Sequence, residues 1–318
     1  MKKFTALLLS FILVLTMTAG CQQATIDKNK INIATTSYAL KYFIEKVGGD
    51  EVHVIFSLTG NPHHFELSQN EAQYITEADA FINIEAGDYI NIGSQIKKIN
   101  QTMKSFDIAE NIDLLISEDN HVHHNHDDDD EHTHEEETLA NHEHILQEQL
   151  DPHIWLDPVR TEKLVDNLAK ILGELDADKA TFFQENAQRI IEKLTALNQK
   201  YSTELKNMQQ PYIVVNHAAY GYLAERYHFT QRAINDVSDH SENTQSSMIT
   251  MDDFIVEHHI KYILVEANLE KNAAIDVLAQ KHQLEILPIF NLETAVPDST
   301  DYFELMEQNL AQIKKTTV

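Results

Sequence analysis

The chain predicts an α/β fold with two lobes, each a parallel sheet flanked by helices, joined by one long rigid linker helix. Three observations carry this expectation. Short β-branched runs alternate with helical patterns in the first half of the chain, and they do so again in the second half. A single long amphipathic stripe lies between the two halves.

In the first half, Ile31–Thr35, Glu51–Phe56, Ala80–Ile84 and Lys104–Ile108 read as strands. Between them, Tyr38–Val47, Gln69–Glu77 and Tyr89–Ile99 read as helices. In the second half the strands are Tyr212–Asn216, Phe229–Ile234, Tyr262–Glu266 and Leu284–Ile289. Tyr220–Tyr227, Met251–His258 and Ala273–His282 are the helices that separate them. Strands joined through helices pair in parallel, with helices on both faces of the sheet. From about Thr181 to Met208, residues Phe183, Ala187, Ile190, Ile191, Leu194, Leu197, Tyr201, Leu205 and Met208 share one helical face, and Pro211 marks its end. A helix of about 28 residues is about 42 Å long, enough to run the height of both lobes and to limit their relative movement. The expected organisation is therefore a lobe over 31–180, a linker helix over 181–208 and a second lobe over 209–318.

The N-terminus reads as a secretory signal over residues 1–20. Lys2 and Lys3 precede a nearly all-apolar stretch from Phe4 to Thr16. Thr18-Ala19-Gly20-Cys21 resembles a bacterial lipobox, with Thr18 where Leu is usual, so Cys21 is the expected lipidation site and 21–30 a tether. An uncleaved span is the alternative, but the run falls short of the ~20 residues that cross a bilayer comfortably. Cys21 is the only cysteine, which excludes an intramolecular disulfide. A diacyl anchor, at ~0.8 kcal/mol per buried methylene, would hold the protein to the outer face of a membrane.

Net charge is −27, of which the segment 118–144 carries −11, leaving −16 elsewhere. Such acidity argues against nucleic acid as a partner. The segment holds His121, His123, His124, His126, His132, His134, His142 and His144 among eleven carboxylates, with no Lys or Arg. Neutral imidazole is the commonest ligand for zinc-like cations, and the carboxylates concentrate a divalent ion nearby. The bland alternative is a solvated acidic linker. Too polar to bury a core, the segment reads as a mobile loop that attracts metal weakly.

Outside it, the rule that open α/β sheets bind ligands beyond the carboxyl ends of their strands selects candidates. His63 lies past the second strand, His153 in Asp151-Pro152-His153-Ile154-Trp155-Leu156-Asp157-Pro158, His217 directly after Tyr212–Asn216, and Glu293 just past Leu284–Ile289. Three imidazoles and one carboxylate suit tetrahedral zinc. No local spacing groups them, for they stand 90, 64 and 76 residues apart. Asp157 and Asn216 are candidates for orienting the imidazoles, with turn and capping roles as the alternative. His53, His228, His240, His258, His259 and His282 read as surface residues, and Trp155 as core or as a wall of the pocket.

From about Ile31 to the C-terminus the chain resembles the zinc-specific substrate-binding lipoproteins of bacterial ABC importers, a cluster that also holds manganese binders and proteins described as adhesins. The resemblance is carried by Gly60-Asn61-Pro62-His63-His64-Phe65-Glu66, by Asp151–Pro158, and by Asn216-His217-Ala218-Ala219-Tyr220-Gly221-Tyr222-Leu223. Val265-Glu266-Ala267-Asn268, Asn291-Leu292-Glu293 and the histidine-rich insert add to it. It implies His63, His153, His217 and Glu293 as ligands of Zn2+, with His64 the alternative to His63 and Glu266 the runner-up acid, otherwise structural. Histidine at 217 favours zinc over manganese, which takes two carboxylates in its own branch. Asp88-Tyr89 departs from a commoner Glu-x-Trp, and 239–243 lacks a proline often found there; neither is expected to touch the ligands.

The leading function is thus a monomeric zinc carrier, not an enzyme, that delivers Zn2+ to the permease of an importer driven by a separate ATPase. The chain itself has no Gly-x-x-x-x-Gly-Lys motif. A zinc hydrolase is the second class, weakened by the absence of a His-Glu-x-x-His pattern and by a fourth protein ligand where water must sit. A manganese-binding member of the same cluster is the nearest alternative, and a host-matrix adhesin is the third reading.

Overall fold

The computed structural model describes residues 26–57, 67–117, 150–235, 245–267, 272–294 and 301–318. Cys21, His63, His64, the departure at 239–243 and the whole histidine-rich segment lie outside these residues.

Two four-stranded parallel sheets form, as expected. The first contains β1 (Ile31–Ala34), β2 (Val52–Phe56), β3 (Ala80–Asn83) and β4 (Lys104–Asp107), in the order β2-β1-β3-β4. Its helices are α1 (Tyr38–Gly48), α2 (Gln69–Thr76) and α3 (Tyr89–Ile99). Next come α4 (Pro158–Leu175) and the long α5 (Ala180–Glu204). The second sheet contains β5 (Tyr212–His217), β6 (Thr230–Asn235), β7 (Tyr262–Glu266) and β8 (Glu285–Ile289), in the order β6-β5-β7-β8. Its helices are α6 (Gly221–Tyr227), α7 (Gln245–Glu257), α8 (Ala273–His282) and α9 (Tyr302–Thr317). Both orders reverse direction beside the first strand of the lobe. Each lobe therefore has one switch point, between β1 and β3 and between β5 and β7, where a ligand pocket belongs.

Two helices add to those expected from periodicity. Helix α4 starts at Asp157, whose carboxylate accepts from Val159 N at 3.0 Å, with Pro158 in the first turn. It packs Leu164, Val165, Leu168 and Leu172 inward. Asp301 caps α9 in the same way, accepting from Phe303 N at 2.9 Å. The linker helix ends at Glu204 rather than near Met208. Past it, the backbone N–H groups of Gln209 and Gln210 turn away to the carbonyl of Thr317 at the end of α9. At 25 residues α5 is about 38 Å long. Near its start Asn186 donates to the Val47 carbonyl at 2.8 Å, and near its end the Tyr201 hydroxyl donates to the Met306 carbonyl at 2.6 Å. One hydrophobic core runs through both sheets, α4 and α5, while Val214, Met251, Ile255, Ile263 and Leu278 form a smaller outer cluster in the second lobe.

Asp157 takes the capping role expected as the alternative to orienting an imidazole, and it also ties α4 to α6. Fully buried, it accepts from Arg226, from Arg160 Nη1 at 2.9 Å, and from its own cap. Replacing it by Ala leaves two guanidinium groups facing an emptied site and removes the cap. We expect D157A to lose on the order of 3 kcal/mol in denaturant unfolding.

Candidate metal centre

His217 is the last residue of β5 and Glu266 the last of β7, so the two flank the switch point of the second lobe. The Nδ1 of His217 lies 2.8 Å from Glu266 Oε1. Asn216, expected with Asp157 as a candidate orienting group, acts one step back: its Oδ1 accepts from Glu266 N at 2.8 Å and holds that acid in place. With Nδ1 engaged, Nε2 is the His217 nitrogen suited to bind a cation.

His153 arrives from the first lobe, on the segment leading into α4. This segment crosses close over Gly87, whose φ of +54° suits glycine and where an added Cβ would meet the Leu150 carbonyl at 3.1 Å. Asp151 accepts from the backbone N of His153 at 2.9 Å, and the same Oδ1 lies 2.6 Å from the imidazole Nδ1. One carboxylate thus fixes both backbone and ring. The opposite nitrogen, Nε2, lies 3.1 Å from Glu293 Oε1. The orienting acids are therefore Asp151 and Glu266. The first could have been read from the sequence, since Asp two residues before a candidate ligand is an Asx-turn signal.

Glu293 sits in a loop sewn to the first lobe. The carbonyls of Leu292 and Glu293 accept from Ala39 N at 3.0 Å and Tyr38 N at 2.7 Å, the first amides of α1, while Ser37 Oγ caps Leu40 N at 3.2 Å. Trp155 Nε1 donates to the Asn291 carbonyl at 2.7 Å. Leu292 takes φ +63°, a left-handed conformation unfavourable for a bulky side chain, and these flanking bonds hold it there. The lobe boundary is therefore crossed by backbone hydrogen bonds at the pocket itself. Trp155 serves both of its expected roles: fully buried, it packs its ring 5.4 Å from that of His153.

The result is three buried side chains, His153, His217 and Glu293, whose candidate ligand atoms all lie within 4.8 Å of one another and can hold a metal ion. Burial pushes the His153 imidazole down, but Asp151 and then Glu293 outweigh it and hold the group at about 10. Burial likewise lowers His217, and Glu266 with Glu293 raises it to about 9. Both shifts favour the protonated, cationic imidazole in the metal-free pocket. Glu266, the runner-up acid, lies behind His217, whereas Glu293 lies beside His153.

One departure expected to stay clear of the ligands does not. The Tyr89 hydroxyl donates to Glu293 Oε1 at 3.3 Å, and Asn291 Nδ2 donates to Oε2 at 2.8 Å. Burial and the neighbouring carboxylate push the Tyr89 phenol well above its ordinary range, so it remains an O–H donor. Three of the histidines expected at the surface, His53, His258 and His282, are half-buried instead. His258 packs its ring 4.3 Å from that of Tyr212, and His282 Nε2 lies 2.6 Å from Asp252 Oδ1.

A protein-family model described as ZnuA, zinc-uptake complex component A periplasmic, matches residues 33–316. The chain belongs to this family. The zinc-binding protein AdcA of Streptococcus pyogenes is 30% identical over 326 residues, covering 100% of this chain and 62% of that protein. The high-affinity zinc uptake system protein ZnuA of Bacillus subtilis is 26% identical over 294 residues, covering 90% of this chain and 87% of that protein. Zn(II)-bound AdcA from Streptococcus pneumoniae superimposes with TM-score 0.71 at 27% identity, over 91% of this chain and 58% of that one. A crystal structure of ZnuA shares the fold with TM-score 0.75 at 23% identity, over 91% of this chain and all of that one. This chain thus spans about three fifths of the AdcA proteins it matches.

Proposed function

We propose that this protein captures one Zn2+ outside the cytoplasm and delivers it to the permease of an ABC importer. The observation that carries this is the buried meeting of His153, His217 and Glu293, each imidazole backed by its own carboxylate. Two neutral nitrogens and one oxygen from these residues, with a third nitrogen from His63, would complete a tetrahedral shell suited to a borderline-soft ion. The backing acids Asp151 and Glu266 would fix the ring orientations and raise ligand basicity. With Glu293 as fourth ligand no position is left for an activated water, so carriage is favoured over hydrolysis. The family's description as periplasmic and as a zinc-uptake component supports the same reading.

In this proposal residues 1–20 direct export, Cys21 carries the lipid anchor on the outer face of the membrane, and the mature chain acts as a monomer. The lobes 31–180 and 209–318 are held by the linker region 181–208. The histidines of 118–144 collect zinc weakly and raise its local concentration. Metal content of protein purified without chelator tests this division of labour. We expect one tightly held zinc with or without residues 118–144, and additional weakly held zinc only with them. Loss of the tight zinc on deletion of 118–144 would refute it.

A further inference from the structure

We propose that Tyr89 is a selectivity-determining positioning residue that holds Glu293 to coordination through a single oxygen. The inference rests on the reading of Glu293 as a metal ligand. Each oxygen of this carboxylate accepts a hydrogen bond from a different lobe: Oε1 from the Tyr89 hydroxyl of the first, Oε2 from Asn291 Nδ2 of the second. Tyr89 is itself firmly placed. It is 1% exposed, its carbonyl accepts from Asn83 Nδ2 at 3.1 Å, and its ring meets Trp155 edge-on at 6.1 Å. Asn83 ends β3, at the switch point of the first lobe, and its Oδ1 accepts from Thr36 Oγ1 at 2.6 Å. Asn83 thus ties the Tyr89 backbone to the first sheet, and the packed ring carries the hydroxyl from there to the acid.

A carboxylate with a donor on each oxygen resists the rotation needed to grip an ion with both. One-oxygen binding keeps the total at four donors, which satisfies zinc, whereas manganese prefers six, rich in oxygen. The Tyr89 hydroxyl therefore penalises the harder ion more than zinc. Removing it leaves the ring packing in place and lets Glu293 turn toward two-oxygen binding.

The test compares wild type, Y89F, E293A and the double variant, titrated with Zn2+ alone and Mn2+ alone in competition with a chelator. Visible spectra of the Co2+-loaded proteins are recorded as well. We expect Y89F to narrow the Zn:Mn affinity ratio by roughly tenfold, the lower end of what losing a group that orients a metal ligand costs. Its Co2+ absorption should weaken from tetrahedral intensity towards that of a five-coordinate ion, and the metal-free Tm should move little. In the E293A background Y89F should change nothing further. A merely structural role would weaken both metals alike, leaving the ratio and the Co2+ spectrum unchanged, and would overturn the inference while the Glu293 assignment stands. A further change of the ratio by Y89F in E293A would also overturn it. Zinc affinity untouched by E293A would overturn both the ligand assignment and the inference.

Discussion

Replacing His153 by Ala is expected to lower Zn2+ affinity by on the order of a hundredfold or more, and to destabilise the metal-free protein by roughly 3 kcal/mol. The first figure follows from dividing the ~10–16 kcal/mol seen for structural zinc among four ligands, which leaves about 3 kcal/mol for each. The second follows from the electrostatics of the empty pocket. Without metal, the His153 ring lies 2.6 Å from Asp151 and 3.1 Å from Glu293, with all three groups buried, an arrangement that favours its protonated form. Removing it leaves two carboxylates facing one another with no cation between them. Zinc titration and denaturant unfolding of the metal-free variant measure the two effects separately. An H153A protein that bound zinc as wild type does would remove His153 from the ligand set.

Stability and zinc affinity should move in opposite directions with pH. The folded-state pKa values of His153 and His217, at about 10 and about 9, lie above the ordinary histidine value of 6.5. Groups raised in this way contribute stability that is complete below about pH 6.5 and is lost as pH rises through 9 and 10. The metal-free protein should therefore become less stable from near neutral to alkaline pH. Zinc must displace the same protons, so its apparent affinity should rise over that window. Where both imidazoles release a proton on binding, the rise is up to about a hundredfold per pH unit. Calorimetry in buffers of different ionisation enthalpy counts the protons, and about two per zinc are expected from this pair. Zinc binding that released no protons at pH 7 would show the pocket to be neutral before capture.

Much of this molecule is legible in its sequence. The eight strands lie within a residue or so of the ranges read from the sequence, and all but Lys104–Asp107 carry the β-branched residues that a sheet buried under helices favours. The ends of those strands then locate His217, and the turn after β8 locates Glu293. What the sequence conceals are contacts between distant positions. Tyr89 and Glu293 are 204 residues apart, and His153 and Glu293 are 140 apart. No local periodicity predicts that their side chains meet. Glu266 is of the same kind, paired with His217 from 49 residues away across the switch point. Helices α4 and α9 could have been read from their Asp caps, since Asp157 precedes Pro158 and Asp301 precedes an amphipathic run.

The joint between the lobes has a functional consequence. The amides of Tyr38 and Ala39 bind the carbonyls beside Glu293, and Tyr89 binds its carboxylate, so the first lobe helps to fix a candidate ligand, Glu293, carried by the second. The long α5 helix, anchored at Val47 and Met306, braces the same arrangement. Wide hinge opening would break these bonds, so the geometry favours a pocket largely formed before the ion arrives.

The measurement that bears most directly on the site is zinc-anomalous diffraction from crystals loaded with one equivalent of Zn2+. A single strong peak about 2.0–2.2 Å from His153 Nε2, His217 Nε2, one oxygen of Glu293 and a nitrogen of His63 is the expected result. A principal peak elsewhere, with His153 still bridging Asp151 and Glu293 as in the metal-free protein, would contradict it.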